Sequence, residues 1–262
     1  MTPGRERIAP AVAVVAALGV ALFALPLVGL LWRAPWRGLG DALLTSEALT
    51  AMRLSLVCSV AATIISIVLG VPLAWVQARA QFRGVAVLRA LTLLPVVLPP
   101  VVGGVALLAV FGRRGLLGQW LEPLGITLPF TTAGAILAET FVAMPFFVLA
   151  MEGAFRGLDR RLEDAARTLG ASQWTVLRRV TLPLVRPSLA AGAALCWARA
   201  LGEFGATITF AGNFPGRTQT LPLAVYVALE TRPEAAFLLS LVLLLVSLLV
   251  LVALRRRWLW IS

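Results

Sequence analysis

Histidine is absent from the sequence, lysine is absent too, and cysteine occurs only twice, at Cys58 and Cys196. Without histidine the chain lacks the commonest metal ligand and the side chain that most often moves protons near neutral pH. Both cysteines lie inside apolar runs, where a thiol packs as a small apolar group, and two isolated cysteines form no cluster for zinc or haem. No glycine-rich phosphate loop ending in G-K-S or G-K-T occurs, so any ATP and magnesium would have to sit on another chain. No nucleophile motif supports a membrane-embedded enzyme. No catalytic, cofactor-binding or metal-binding residue is therefore expected. Charge is scarce as well: 13% of residues carry one, about half the usual ~25%.

What is abundant is apolar surface. Of the 262 residues 60% are hydrophobic, against about 45–50% in soluble domains. A bilayer core about 30 Å thick asks for about 20 apolar residues in a helix, and six such runs occur: Ile8–Trp32, Leu54–Val76, Ala86–Phe111, Thr132–Met151, Leu189–Phe210 and Ala235–Leu254. The first is longer than the apolar part of a signal peptide and has no small-residue cleavage site behind it, so it is read as a retained helix with Trp32 and Trp36 at the interface. Ser46 is a candidate cap ahead of the second. The third carries Pro95, Pro99, Pro100, Gly103 and Gly104, which predict a kink or a break; a bent pathway helix and a kinked packing helix both fit. The expectation is an all-α membrane protein of six transmembrane helices, one domain over residues 1–262.

All 23 basic residues are arginines, and their placement sets the orientation. With the N-terminus inside, the outer segments hold Arg33, Arg37, Arg113, Arg114, Arg217 and Arg232, Arg53 and Arg199 lie near or within spans, and the other fifteen fall on inner segments. The positive-inside rule then puts both termini in the cytoplasm. Charge spread over many loops also argues against a nucleic-acid-binding face.

The longest polar stretch is the inner loop 152–187. Leu158, Leu162, Ala165, Ala166 and Leu169 recur at helical spacing. Asp159 can cap the start, and Gly170 stops the helix. Ser172 can cap a second helix carrying Trp174, Leu177 and Val180, which should end near Pro183. Two readings are open on physical grounds: an amphipathic segment lying on membrane lipid, or a docking element that enters a groove of a cytoplasmic partner.

The run Asp164-Ala165-Ala166, three residues, Gly170, nine residues, Val180, one residue, Leu182-Pro183 resembles the EAA loop of the permease subunits of bacterial ABC importers. It departs from that pattern conservatively, with Asp164 for Glu and Val180 for Ile. The resemblance implies that Leu162, Asp164, Ala165, Ala166, Leu169, Gly170, Leu182 and Pro183 form a coupling loop on an ATP-binding subunit.

Farther on, Ala198–Tyr226 is similar to the corresponding region of molybdate permeases, with the L-G-E-F-G-A element shared in part with sulfate permeases. Arg199 and Glu203 stand four apart on one helix face; they are either an ion pair holding the bundle together or, with Thr207 and Thr209, part of a pathway or gate. Glu139 carries the same ambiguity. Pro215-Gly216 reads as a turn, after which Arg217 and Thr218 meet an external partner or belong to an ordinary polar loop. By resemblance the chain is a type I ABC importer permease of the bacterial inner membrane, a homodimer with a cytoplasmic ATPase dimer and an external oxyanion-binding protein. The cargo implied is molybdate, with tungstate or sulfate and thiosulfate as alternatives. An ion-coupled secondary transporter would instead show paired broken segments with midplane ionisable residues in both halves. The third run is broken, and no matching partner for it is obvious in the sequence.

Overall fold

A computed structural model describes residues 9–36, 40 and 45–258. Every regular element among them is helical. Ile8, expected to open the first span, and Arg5, Arg7 and Arg37, counted above among the loops, lie outside the described residues.

Helix α1 is Pro10–Arg33, with proline at its first turn, and it buries none of its residues. A helix apolar all round and unburied by its own chain faces lipid or a partner. Helix α2 is Ser46–Arg79, 34 residues, about 51 Å at 1.5 Å per residue, so it projects well beyond a bilayer core. Its cap is Thr45, whose side chain accepts from the Ala48 N–H. Ser46, expected to cap, is instead the first helical residue, and its carbonyl accepts from the Thr50 hydroxyl at 2.6 Å. The buried face of α2 is a row of small residues, Ala51, Ser55, Cys58, Ala62, Ser66, Gly70 and Ala74. Small side chains let helices approach closely in a membrane, and α5, Thr132–Gly157, lies against this row. At Gly70 an added Cβ would sit 2.7 Å from the Phe147 ring. Phe147, Met151 and Phe155 of α5 close the main core with Ala62 and Ala74 of α2, and with Cys196 and Ala200 of α8.

The third run is two helices, α3 Val85–Val97 and α4 Pro100–Phe111, inclined at 119°. Each of Leu98 and Pro99 precedes a proline and is extended, with ψ of 137° and 133°, as the clash with the following ring demands. The fifth run is also broken. Ahead of it Gln173–Leu184, α7, joins α8, Arg186–Leu201, across a bend of 77°. A second gap at 202–204 leads into α9, Gly205–Ala211. Among the described residues three helices are long and apolar enough to cross a membrane, or up to five if each bent pair is one span.

The two breaks meet. A Cβ at Gly205 would lie 2.9 Å from Pro100 Cβ, and one at Gly104 would lie 2.6 Å from Thr209 Cβ and 2.9 Å from the Ala206 carbonyl oxygen. Glycine at these positions lets α4 and α9 touch backbone to backbone.

Residues 221–231, expected as part of an outer loop, form helix α10, Leu221–Thr231. At 11 residues it is too short to register as a span. Its first N–H, on Leu221, is satisfied by the buried Ser55 hydroxyl of α2 at 2.6 Å, and the chain then turns back into α11, Pro233–Trp258. Arg232 at that turn pairs with Glu47 at 3.2 Å.

Replacing Gly104 by valine should force α4 off α9. Overpacking of this kind costs about 1–3 kcal/mol, which thermal unfolding in detergent should register as a lowered midpoint, with Gly29→Val, where nothing lies near, as the neutral control.

Candidate functional site

The loop joining α5 to α8 folds as its sequence suggests. Helix α6 is Arg160–Thr168, and the Asp159 carboxylate accepts from the Arg161 N–H at 3.0 Å. The helix ends at Gly170, whose φ is +84°. The Gly170 N–H donates to the Arg167 carbonyl at 2.9 Å and the Ala171 N–H to the Ala166 carbonyl at 3.1 Å, the paired bonds of a Schellman ending. Ser172 then caps α7 by accepting from the Thr175 N–H.

Helix α7 ends at Leu184, near Pro183 as the proline suggested. Residues Leu177–Thr181 widen into a π-turn, in which the Leu182 N–H reaches the Leu177 carbonyl. The wider turn makes room for a ring that cannot donate a hydrogen bond.

Much of the apolar stripe of α6 is left uncovered by the described residues. Leu162 is 47% exposed, Leu169 89% and Trp174 of α7 68%, while Ala165, Asp164 and Gly170 are exposed and Ala166 half-buried. Leu182 and Pro183 are half-buried at the base of the loop. Asp164 bonds only to Arg167, at 3.2 Å, one turn along its own helix. The residue that α6 buries is Glu163.

Glu163 accepts from Arg79 at the end of α2, at 3.0 Å, and from the Thr181 hydroxyl of α7, at 2.9 Å. Beside it, Glu152 of α5 pairs with Arg89 of α3 and Arg156, both at 2.7 Å. Arg89 also donates to the Gln77 carbonyl at 3.1 Å, and the Gln77 amide donates to Thr92. Apart from Glu152 with Arg156, four apart on one helix, these partnerships are not evident from spacing. They join residues up to 84 positions apart, and Glu163 reads in sequence as one more charge on a polar face.

Deeper in the bundle, Arg199 and Glu203 form an ion pair at 2.7 Å. They do so across a helix end, because α8 stops at Leu201. The second oxygen of Glu203 accepts from the Ala206 N–H at 2.8 Å, which satisfies a backbone donor freed where the helix breaks. Thr209 donates to the Gly205 carbonyl at 2.8 Å. Thr207 is fully buried with its hydroxyl unpartnered, and Glu139 is buried with Oε2 unpartnered.

At the end of the bundle away from the α6–α7 loop, a cleft of about 490 Å³ is lined by Leu108, Gly112, Arg113, Thr127, Pro129, Phe130 and Arg217. Arg217 is exposed, and Thr218 beside it is buried. The Thr218 hydroxyl accepts from the Phe214 N–H at 2.9 Å, so it holds the turn that contains Gly216 and does not face outward. Among the described residues no cluster of histidine, cysteine or carboxylate groups could hold a metal ion.

The family model for the binding-protein-dependent transport system inner membrane component matches residues 70–259. Molybdenum transport system permease protein ModB of Mycobacterium tuberculosis is 48% identical over 239 residues, 91% of this chain and 90% of that protein. The protein of the same name from Escherichia coli is 46% identical over 190 residues, 72% of this chain and 83% of its own length. In three dimensions the chain is similar to one from the crystal structure of a bacterial ABC transporter involved in the import of the acidic polysaccharide alginate, with a TM-score of 0.75, 16% identity and 94% of each chain covered.

Truncating Glu203 to alanine should strip Arg199 of its partner and uncap α9. The loss should be about 3–5 kcal/mol, as for other broken buried pairs. Glu203→Gln keeps an acceptor for the Ala206 N–H and should lose less, about 1–3 kcal/mol. Unfolding in detergent micelles titrated with SDS reads the difference; equal losses for the two variants would contradict the capping role.

Proposed function

The chain belongs to the binding-protein-dependent transport system inner membrane components, and on that premise we propose that it is the permease subunit of an ATP-driven molybdate importer. The observation that carries the cargo is near-full-length similarity, 48% identity over 91% of the chain, to a molybdenum permease. As an inner-membrane component the chain forms the path across the membrane and is not itself catalytic. ATP and magnesium belong to a cytoplasmic ATPase dimer, and an external oxyanion-binding protein delivers the cargo.

Six crossings are the reading we favour: α1, α2, the bent α3–α4 pair, α5, α8 with α9, and α11. The arginine asymmetry supports placing both termini and the α6–α7 loop on the inner side. A homodimer suits a chain whose α1 and one side of α4 are apolar and unburied. The pathway would then run beside the paired breaks of α4 and α9, where Thr207 and Thr209 supply hydroxyls.

The coupling role rests on the outward face of α6. Leu162, Leu169 and Trp174 are apolar knobs at the tip of an otherwise charged loop, the pattern of a helix that enters a groove. The left-handed turn at Gly170 reverses the chain behind them. Lipid would also accept such a face, but the turn projects Leu169 at the apex and away from the bundle, which favours a protein groove.

In a bacterial strain lacking its own molybdate permease, this chain expressed with its ATPase and binding protein should restore ATP-dependent molybdate uptake. Tungstate should compete, and sulfate should compete weakly. Gly170→Pro, which cannot adopt the positive φ, should lower uptake about tenfold or more, the scale of coupling between sites. Uptake unaltered by that change would remove the loop from the mechanism, and dominant sulfate competition would reassign the cargo.

A further inference from the structure

Helix α6 is built inside out. Its one leucine, Leu162, and Leu169 at its C-cap are exposed, while a carboxylate occupies its one buried position. Burying a carboxylate is costly unless it is paired and hydrogen-bonded, and a well-packed apolar side chain in its place is often as stable or more so. Stability alone therefore does not account for Glu163. What a carboxylate provides and a leucine does not is direction. Its bond to Arg79 at 3.0 Å and to Thr181 at 2.9 Å fixes both the rotation of α6 about its own axis and its position along the end of α2.

We propose that Glu163 is the positioning residue of the coupling loop, a clamp that makes α6 and the inner end of α2 move as one body. The inference rests on the coupling role proposed above and adds the element through which displacement of α6 leaves the loop. Because α7 continues into α8, a push on the loop already has a covalent route into the fifth span. The Glu163–Arg79 pair adds a second route, into α2. From α2 the Gln77 carbonyl meets Arg89 at 3.1 Å, and Arg89 meets Glu152 of α5 at 2.7 Å. Arg89 lies on α3, the helix that leads into the 119° break. With the clamp intact the two broken spans receive the same displacement from opposite sides of their contact. Without it the loop turns against α2, and only α8 is driven.

The complete transporter, with its ATPase and binding protein in liposomes, tests this through the molybdate taken up per ATP hydrolysed. The paired change Arg79→Leu with Glu163→Leu removes the directional link while keeping the site filled. The complex should still assemble and melt near the wild-type temperature, yet uptake per ATP should fall about tenfold, within the usual range of coupling between sites. The reversed pair, Arg79→Glu with Glu163→Arg, should recover most of that ratio, whereas Glu163→Arg alone should not. A leucine pair that keeps the wild-type ratio overturns the proposal. So does a loss of uptake and hydrolysis in equal proportion, or of assembly, in the leucine and reversed pairs alike, because that is the signature of a purely structural pair. If the unaltered chain captures no ATPase or takes up no molybdate, the importer reading itself fails and takes the clamp with it.

Discussion

Backbone groups set free inside a membrane find no water, so irregular chain at that depth must be buried in protein or line a cavity. Two apolar runs of this chain are interrupted, one at residues 98–99 and one at 202–204, and the rest of the bundle is arranged around that constraint. The breaks lie against each other, with Gly104 and Gly205 removing the side chains that would hold them apart. Glu203 supplies the missing acceptor at one of them, and Arg199 balances its charge. The small-residue face of α2 lets α5 close the other side of the bundle. A pair of interrupted helices in contact, held by a rigid pair of continuous ones, is an arrangement that can be shifted without unfolding.

On the proposed function, the α6–α7 loop is the place to shift it from. Its two short helices are capped at each start by an oxygen side chain and separated by a left-handed glycine, so the loop is rigid and not a tether. Its apolar face is unoccupied, and its acidic side chain is turned inward to α2. At this end Glu163 joins α6 to α2 and α7, and Arg89 joins α3 to α2 and α5. At the far end the Ser55 hydroxyl bonds to α10, the Thr132 hydroxyl donates to the Arg217 carbonyl, and Arg232 meets Glu47 at the surface.

Much of this was legible before any coordinates. Apolar runs of about twenty residues fix helices in a bilayer whatever their neighbours, and consecutive prolines dictate a break from sterics alone. The cap at Asp159, the stop at Gly170 and the cap at Ser172 are local effects, so their residues announce them. The i, i+4 spacing of Arg199 and Glu203 announced their pairing, although the helix ends between them. Illegible were features decided by tertiary neighbours. Thr45 in place of Ser46 as a cap is a shift of one residue. The π-turn at Leu177–Thr181 within α7 leaves no mark in the residue pattern. Helix α10 is too short to show in hydropathy and depends on Ser55 for its first hydrogen bond. Glu163 looks in sequence like any other charge of α6, because nothing in a single sequence tells that Arg79 lies against it. Thr218, expected at the outer surface, is turned inward to hold its own loop.

The central claim is that α6 lies on the inner face and seats in a cytoplasmic ATPase. Leu169→Cys tests it with little background, since Cys58 and Cys196 are both fully buried. A membrane-impermeant maleimide should label the introduced thiol in inside-out vesicles and not in intact cells, and added ATPase subunit should protect it. Labelling from outside, or labelling indifferent to the ATPase, would contradict the account.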